Sequence, residues 1–294
     1  MAGEAYDDRD GYIWMDGEFS PWREAKVHVL THALHYASSV FEGERAYGGR
    51  IFASRRHSER LHNSARLMGF ELPVSVDDLE AIKIEALAKS GLESAYIRAF
   101  AWRGSEMMGV SAQNNTIHLA VAVWAWGDYF ADKMKGIRMN HAPWKRPSPE
   151  TAPCHAKAAG LYMICTLSKH AAEREGYQDA LMLDYRGHVA EATGANIFLI
   201  RDGALHTPTP DCFLNGITRQ TAIKLAEARQ LEVIVRTIMP DELSTFSEVF
   251  ITGSAAEITP VAEIGEHTYK PGAISEALVH DYNDLVHGKI KMPA

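Results

Sequence analysis

Apolar and polar positions alternate at the start of this chain, shift to helical spacing, and then alternate again. Tyr12 to Met15 and the residues after Asp16-Gly17 read as a hairpin turning on Asp-Gly. A second hairpin is expected at Gly48-Gly49, between Glu44-Arg45-Ala46-Tyr47 and Arg50-Ile51-Phe52. Leu61, Ala65 and Met68 then recur on one helical face. Ser75 and Asp78 form a capping-box-like start to the next helix, which turns Leu79, Ile82, Ala86 and Leu87 inward and stops at Gly91. Two apolar strands follow, Ala95 to Trp102 and Ile117 to Trp126. The polar stretch between them, with Gly104, Gly109 and Asn114-Asn115, is a long loop of the kind that often carries function.

Residues 127–136 mark a shift in composition and read as a linker. Beyond them come a strand near Ile137 to Asn140 and a loop rich in proline (Pro143, Pro147, Pro149, Pro153). A helix is expected from about Ala158 to Glu175, with Gly176 suited to its C′ position. Strands are expected at Ala180 to Leu183, near Val189 and at Ile197 to Ile200, before a turn at Asp202-Gly203. A helix from Thr218 to Gln230 precedes strands at Val233 to Val235 and Val249 to Thr252. The pattern predicts an α/β chain (mixed α+β) in two domains: a small one over 1–126, the linker over 127–136, and a larger one over 137–294.

Composition narrows the function classes. Of the 294 residues 46% are hydrophobic and 23% charged, so a sizeable core is available and disorder is not expected. A formal charge of -8 argues against a nucleic-acid partner, which needs clustered cations. It still leaves room for an anionic ligand held by a few local donors. Cys154, Cys165 and Cys212 form no C-x-x-C pair and read as reduced thiols. The opening MAGEAYDDRDGY has no basic-then-apolar leader, and the apolar run around Leu119 to Trp126 is too short to span a bilayer. A cytoplasmic location without membrane contact is the expectation.

Four segments suggest chemistry. In HAKAAGLYM, Lys157 is followed by small residues at the start of a predicted helix. A Schiff-base lysine must lose its charge before it attacks an aldehyde, so it needs partial burial. A lysine taken alone reads as a surface residue; the rest of the set changes that. Glu191, in GHVAEATGANIF, could supply the carboxylate that a pyridinium nitrogen needs. In NGITRQ, Gly216, Ile217 and Thr218 open a helix whose backbone N–H groups and hydroxyl suit a phosphate ester. TGSAAEITP offers Gly253, Ser254 and Ala255 as further donors after a strand.

Taken in order, HALHYASSVFEGERAY, ERLHNSAR, SAYIR, MGV, AWGDY, AKAAGLY, AEATGANIF, NGITR and TGSAAEITP resemble the branched-chain amino acid aminotransferase family, of the fold type IV pyridoxal-phosphate enzymes. The resemblance spans nearly the whole chain. It implies that Lys157 is the catalytic residue, binding pyridoxal 5'-phosphate as a Schiff base and moving the substrate's α-proton. Glu191 would pair with the ring nitrogen and Tyr162 with the phenolic oxygen. Arg60, Gly216, Ile217, Thr218, Gly253 and Ser254 would hold the phosphate, with Leu214 against the ring face. The substrate pocket would include Phe41, Gly43, Arg45, Tyr96, Arg98, Trp126 and Tyr129, with Ser254 and Ala255 at the carboxylate. Tyr36, Met108 and Val110 would reach in from the neighbouring subunit of a homodimer, and further association of dimers is left open.

The implied reaction is ping-pong transamination between leucine, isoleucine or valine and 2-oxoglutarate. A D-amino acid or (R)-amine transaminase, or an aminodeoxychorismate lyase, shares the scaffold and is the alternative; a non-catalytic carrier of the cofactor would have no use for an apolar substrate pocket. Two positions depart from the family pattern. Ser254 stands where threonine is common, and Glu44 where an apolar residue is frequent. Glu44 matters little if it points away from the pocket; turned inward, it would disfavour acidic substrates. Cys154-His155 resembles a nucleophile with its base, but neighbours on an extended chain face opposite ways. His32, His35 and His57 with Glu59 lack coherent ligand spacing, so no metal is expected.

Overall fold

The Asp-Gly hairpin forms as its turn chemistry predicts. β1 (Tyr12–Met15) and β2 (Glu18–Pro21) pair antiparallel, and Asp16 and Gly17 both take positive φ, 50° and 110°, as a two-residue turn matched to strand twist requires. A short helix α1 (His32–Tyr36) leads into β3 (Ser39–Phe41) and β4 (Glu44–Tyr47). β5 (Arg50–Ile51) returns after Gly48-Gly49. Then come α2 (Ser54–Leu67), α3 (Val76–Ser90), β6 (Ala95–Arg103) and β7 (Ile117–Ala125). The capping box at Ser75 is present, and Gly91 closes α3 in the left-handed conformation. These strands make a seven-stranded sheet in the order β2-β1-β7-β6-β4-β5, with β3 also on β6.

The computed structural model describes residues 5–127, 130 and 132–293. The chain divides into two units, one of Met1–Gly127 with Ala156–Gly160, the other of Asp128–His155 with Leu161–Ala294. Lys157 therefore joins the first unit, although the sequence expectation assigned it to the larger second domain. The cause is local. Ala158 forms a bridge with Val40 of β3, and the Phe41 N–H donates to the Lys157 carbonyl at 3.1 Å. Residues engaged in a strand-like ladder cannot start a helix, so the predicted helix at 158 begins late. A tight turn covers Ala159–Tyr162, and α4 runs Met163–Arg174.

The second unit holds β8 (Ile137–His141), α4, β9 (Asp179–Leu183), β10 (Val189–Ala192), β11 (Asn196–Arg201) and β12 (Ala204–Pro208). α5 (Ile217–Ala228), β13 (Val233–Arg236), β14 (Glu248–Gly253), β15 (Glu257–Ile264), β16 (His267–Thr268) and α6 (Ala273–Val286) complete it. The sheet order is β10-β9-β8-β15-β14-β11-β12-β13, and β10 pairs back onto β11. That pairing closes six strands into a ring, at the register pair Glu191–Asn196. Alternate side chains on the strands, among them Met139, Leu181, Ile197, Leu199, Val249, Ile251 and Val261, form one buried apolar cluster. Phe198 and Phe250, on the other face, stack at 4.9 Å.

Candidate active site

In the first unit the site is built from one face of α2 against the end of β3. His57, Leu61 and Ser64 are buried along that face, with Arg60 beside them, at the three- and four-residue spacing of helical neighbours. The Ser64 hydroxyl accepts from the Lys157 N–H at 2.9 Å, which fixes the backbone under the lysine. The Lys157 ammonium lies 4.7 Å from the centre of the Phe41 ring. Burial and then the Arg60 charge pull its pKa down to about 8, while Glu42 opposes them. An amine with that pKa is partly neutral near physiological pH, which nucleophilic attack on an aldehyde demands.

Glu42, which the sequence reading passed over, is fully buried beside this lysine. It accepts from Arg60 Nε at 2.6 Å and Nη2 at 2.8 Å, and from His57 Nδ1 at 2.7 Å. Burial would raise its pKa; Arg60 and His57 overcome that and hold it well below the usual carboxylate range. The same burial drives His57 down to about 4 despite Glu42, so His57 is a neutral donor.

Tyr96 and Arg98 lie together on β6. Arg98 Nη2 donates to the Tyr96 hydroxyl at 3.2 Å, and its guanidinium sits 4.7 Å from the Phe41 ring centre. Tyr96 packs between Trp124 and Trp126, at 5.0 and 4.7 Å. Its hydroxyl occupies the space a Cβ at Gly43 would need, so position 43 has to be glycine. Arg45 is buried against Tyr47. Glu44 resolves the open question of its direction. It is fully buried and paired with the buried Lys83 of α3, at 2.9 Å, in an ion pair within the fold.

Tyr36, Met108 and Val110 form a separate group, Tyr36 and Val110 exposed and Met108 half-buried. The Tyr36 hydroxyl donates to the Met108 carbonyl at 3.3 Å, His32 stacks on Tyr36 and bonds the Gly109 carbonyl, and Val110 is 85% exposed. Tyr129 lies outside the described residues.

In the second unit Glu191 is buried on β10. Its Oε2 accepts from Asn196 Nδ2 at 3.1 Å, and Oε1 lies 3.3 Å from Arg146 Nε. Burial is the largest influence on Arg146 and works against its charge, but Glu191 together with Cys165, Tyr162 and Cys154 outweighs it and the guanidinium's pKa rises. Tyr162, half-buried, contributes to the same surroundings. α5 starts at Gly216 without a side-chain cap, with Ile217 and Thr218 buried behind it. The first-turn N–H groups of such a helix suit an anion. Leu214 presents its carbonyl to Asn196. Across β11 and β14, Asn196 pairs with Thr252, whose buried hydroxyl has no protein partner among the described residues. Gly253, Ser254 and Ala255 follow, half-buried.

Within the second unit, a buried carboxylate for a ring nitrogen, an uncapped helix start for a phosphate and an orphan hydroxyl fit pyridoxal phosphate; within the first, a lysine of lowered pKa suits its aldehyde. Asn196, Arg146, Glu42, Ser64 and Thr252 escaped the sequence reading, and His57 was weighed there only as a metal ligand. Asn196 and Thr252 stand inside quoted motifs and Ser64 inside ERLHNSAR, but nothing in one sequence distinguishes a buried amide from an exposed one.

Cys154 is buried, its pKa raised by burial, and it donates to the Pro147 carbonyl. His32, His35 and His57 bond to Ser38, the Val29 carbonyl and Glu42 respectively and do not converge. Among the described residues, Asp184, Asp211 and Cys212 come together, but Arg186 bridges the two acids.

The profile of the amino-transferase class IV family matches residues 39–264. A branched-chain-amino-acid aminotransferase of Pseudomonas aeruginosa is 40% identical, over 98% of this chain and 96% of its own length. The crystal structure of the Escherichia coli branched-chain amino acid aminotransferase superimposes with a TM-score of 0.93 at 36% identity, covering 96% of this chain and 97% of that one. The branched-chain amino acid aminotransferase of Thermobaculum terrenum, solved in its PLP-bound holo form, does so at 0.88 and 29%, covering 96% of this chain and 95% of that one.

Proposed function

Since this chain belongs to the class IV aminotransferases, and within them to the branched-chain amino acid aminotransferase family, we propose that it exchanges amino groups between leucine, isoleucine or valine and 2-oxoglutarate, with pyridoxal 5'-phosphate as cofactor. The observation that carries the reading is Lys157: partly buried, backed by Ser64 and Phe41, its pKa drawn down to about 8. When bound, the cofactor supplies an aldehyde to take up the amino group and a ring to delocalise the electrons left by the α-proton. Lys157 Nζ takes that proton and returns it on the other side of the transfer. Arg60 and the amides of Ile217 and Thr218 hold the phosphate, with Ser254 as a further donor. Glu191, as a carboxylate, holds a proton on the ring nitrogen, and Tyr162 donates to the phenolic oxygen. Phe41, Tyr96 and Trp126 supply apolar surface for a branched side chain, and Arg98 a cation for a carboxylate.

The two half-reactions alternate, so the amino group is held by the enzyme while the first keto acid leaves. The test is a two-half-reaction assay across L-amino acids, D-amino acids and amines. Conversion of bound cofactor to pyridoxamine phosphate by L-leucine, reversed by 2-oxoglutarate, is the expected result. Conversion only by a D-amino acid or an (R)-amine overturns it.

We further propose a homodimer as the active form, in the cytoplasm. Val29, Leu34, Tyr36 and Val110 are exposed apolar residues on α1 and the segments beside it, and a second copy of the chain would cover them. Cys154, Cys165 and Cys212 are buried thiols rather than disulfide halves, in keeping with a reducing compartment. Among the described residues no helix is long and apolar enough to cross a membrane.

A further inference from the structure

One side chain of the second unit touches three of its predicted cofactor contacts. Asn196 is 4% exposed. Its Nδ2 donates to Glu191 Oε2 at 3.1 Å and to the Leu214 carbonyl at 2.9 Å; its Oδ1 accepts from the Gly216 N–H at 3.1 Å. The amide can sit only one way round. Turned over, its oxygen would face a carboxylate and a carbonyl, both pure acceptors, and its NH₂ would face a donor. Both amide hydrogens and the oxygen are then used.

The backbone reinforces this position. Glu191 and Asn196 are the register pair that closes the strand ring, and Asn196 is also paired with Thr252 on β14. Directly opposed residues of an antiparallel pair share a face, so Glu191, Asn196 and Thr252 form a row. Gly216 completes the arrangement. Its φ of -57° is open to any residue, yet a Cβ there would collide with Asn196 Oδ1, while its other neighbours lie at 3.5 Å or beyond. Glycine is needed at 216 because Asn196 is in contact with it.

We propose that Asn196 is a positioning residue that couples the two ends of the cofactor site, aiming the Glu191 carboxylate at the ring nitrogen and seating the start of α5 for the phosphate. The inference rests on the reading of Glu191 and α5 given above. Because the amide donates to one Glu191 oxygen while Arg146 faces the other, the carboxylate is held in a single orientation. Because the same amide anchors the Gly216 N–H, a shift at one end is felt at the other.

The experiment exploits that coupling. Holoenzyme is prepared with pyridoxal phosphate labelled at the ring nitrogen, and the nitrogen resonance and the cofactor dissociation constant are measured for wild type, Asn196→Ser, Gly216→Ala and the double variant. Gly216→Ala should weaken cofactor binding about tenfold, the size of one lost hydrogen bond. It should also move the ring-nitrogen resonance toward the unprotonated position, although residue 216 belongs to the phosphate end. In the Asn196→Ser background, where the obstructing amide is gone, adding Gly216→Ala should change neither quantity further. A Gly216→Ala enzyme that binds weakly with its ring-nitrogen signal unmoved would overturn the proposal. If Gly216→Ala does not fold, Asn196→Ser alone decides: a ring-nitrogen signal identical to wild type overturns it. A Glu191→Gln control with an unaltered signal would instead refute the role of Glu191, which is a separate failure.

Discussion

Arg60 grips both oxygens of Glu42, Nε on Oε1 and Nη2 on Oε2, in a fork-on-fork pair with the carboxylate fully buried. The arginine proposed to hold the phosphate is thereby oriented by the fold itself. Glu42→Gln removes the charge and half the fork. Cofactor affinity should fall about tenfold or more, as for loss of a charge-assisted hydrogen bond. The pH midpoint for covalent capture of pyridoxal phosphate should drop below its wild-type position near 8, because Glu42 is the group that opposes burial and Arg60 at Lys157. Rates of incorporation against pH measure this; an unmoved midpoint with unchanged affinity contradicts it.

Lys157→Ala should fold, since the backbone N–H that meets Ser64 remains. It should retain cofactor through phosphate contacts but give no adduct after borohydride reduction. Mass spectrometry of the peptides decides, and a reducible adduct in the variant would shift suspicion to Lys169.

Glu191→Gln should slow α-proton abstraction about ten- to a hundredfold, as loss of a charge-assisted hydrogen bond does. Cofactor occupancy should change much less, because the phosphate donors are untouched. Exchange of the α-hydrogen of leucine into solvent reports the step directly. Near-wild-type exchange at saturating cofactor would contradict the assignment.

His57 makes the first unit acid-sensitive. Its folded pKa, about 4, lies below its unfolded value near 6.5, so between those values the unfolded chain binds a proton that the folded chain refuses. Stability therefore falls as pH drops through that window. His57→Asn keeps an N–H toward Glu42 and cannot titrate. Urea midpoints at about pH 7 and about pH 5 should differ less for this variant than for wild type; equal differences would exclude His57 as the source.

Glu44 and Lys83 form a buried pair, each fully enclosed. Lys83→Met leaves a lone carboxylate inside the fold and should cost about 3–5 kcal/mol, whereas Glu44→Leu with Lys83→Met should be close to neutral. Urea denaturation of the single and double variants tests the contrast. A double variant as unstable as the single would mean that the loss falls on Glu80, which also meets Lys83 at 2.8 Å, rather than on Glu44.

Ordered motifs made Lys157, Arg60, Glu191 and the start of α5 legible, because each segment constrains the next. Most strands were legible from alternation or apolar runs and the α3 cap from Ser75 and Asp78, whereas β3, β12, β15 and β16 were not read as strands. α6 could have been found as well, since Ile274, Leu278, Tyr282 and Leu285 recur at helical spacing. Lys83 was not: it occupies a buried position next to Ile82, and composition rules send lysine outward. Glu42, Asn196 and Arg146 stayed hidden for the same reason, as their roles depend on long-range neighbours. The late start of α4 was hidden too, for it depends on Val40, a residue far back in the chain.

The attachment of Ala156–Gly160 to the first unit has a consequence for how the protein is made. When the ribosome has released residue 127, the bulk of that unit is available, but β3 still lacks its bridge to Ala158 and Ser64 has no Lys157 N–H to accept. The reactive lysine arrives only after β8 and the proline-rich loop have been synthesised. The nascent first unit thus waits with an open strand edge that a premature partner could occupy. A fragment ending at residue 127 would keep that opening permanently, so it should aggregate more readily than a fragment extended through residue 160.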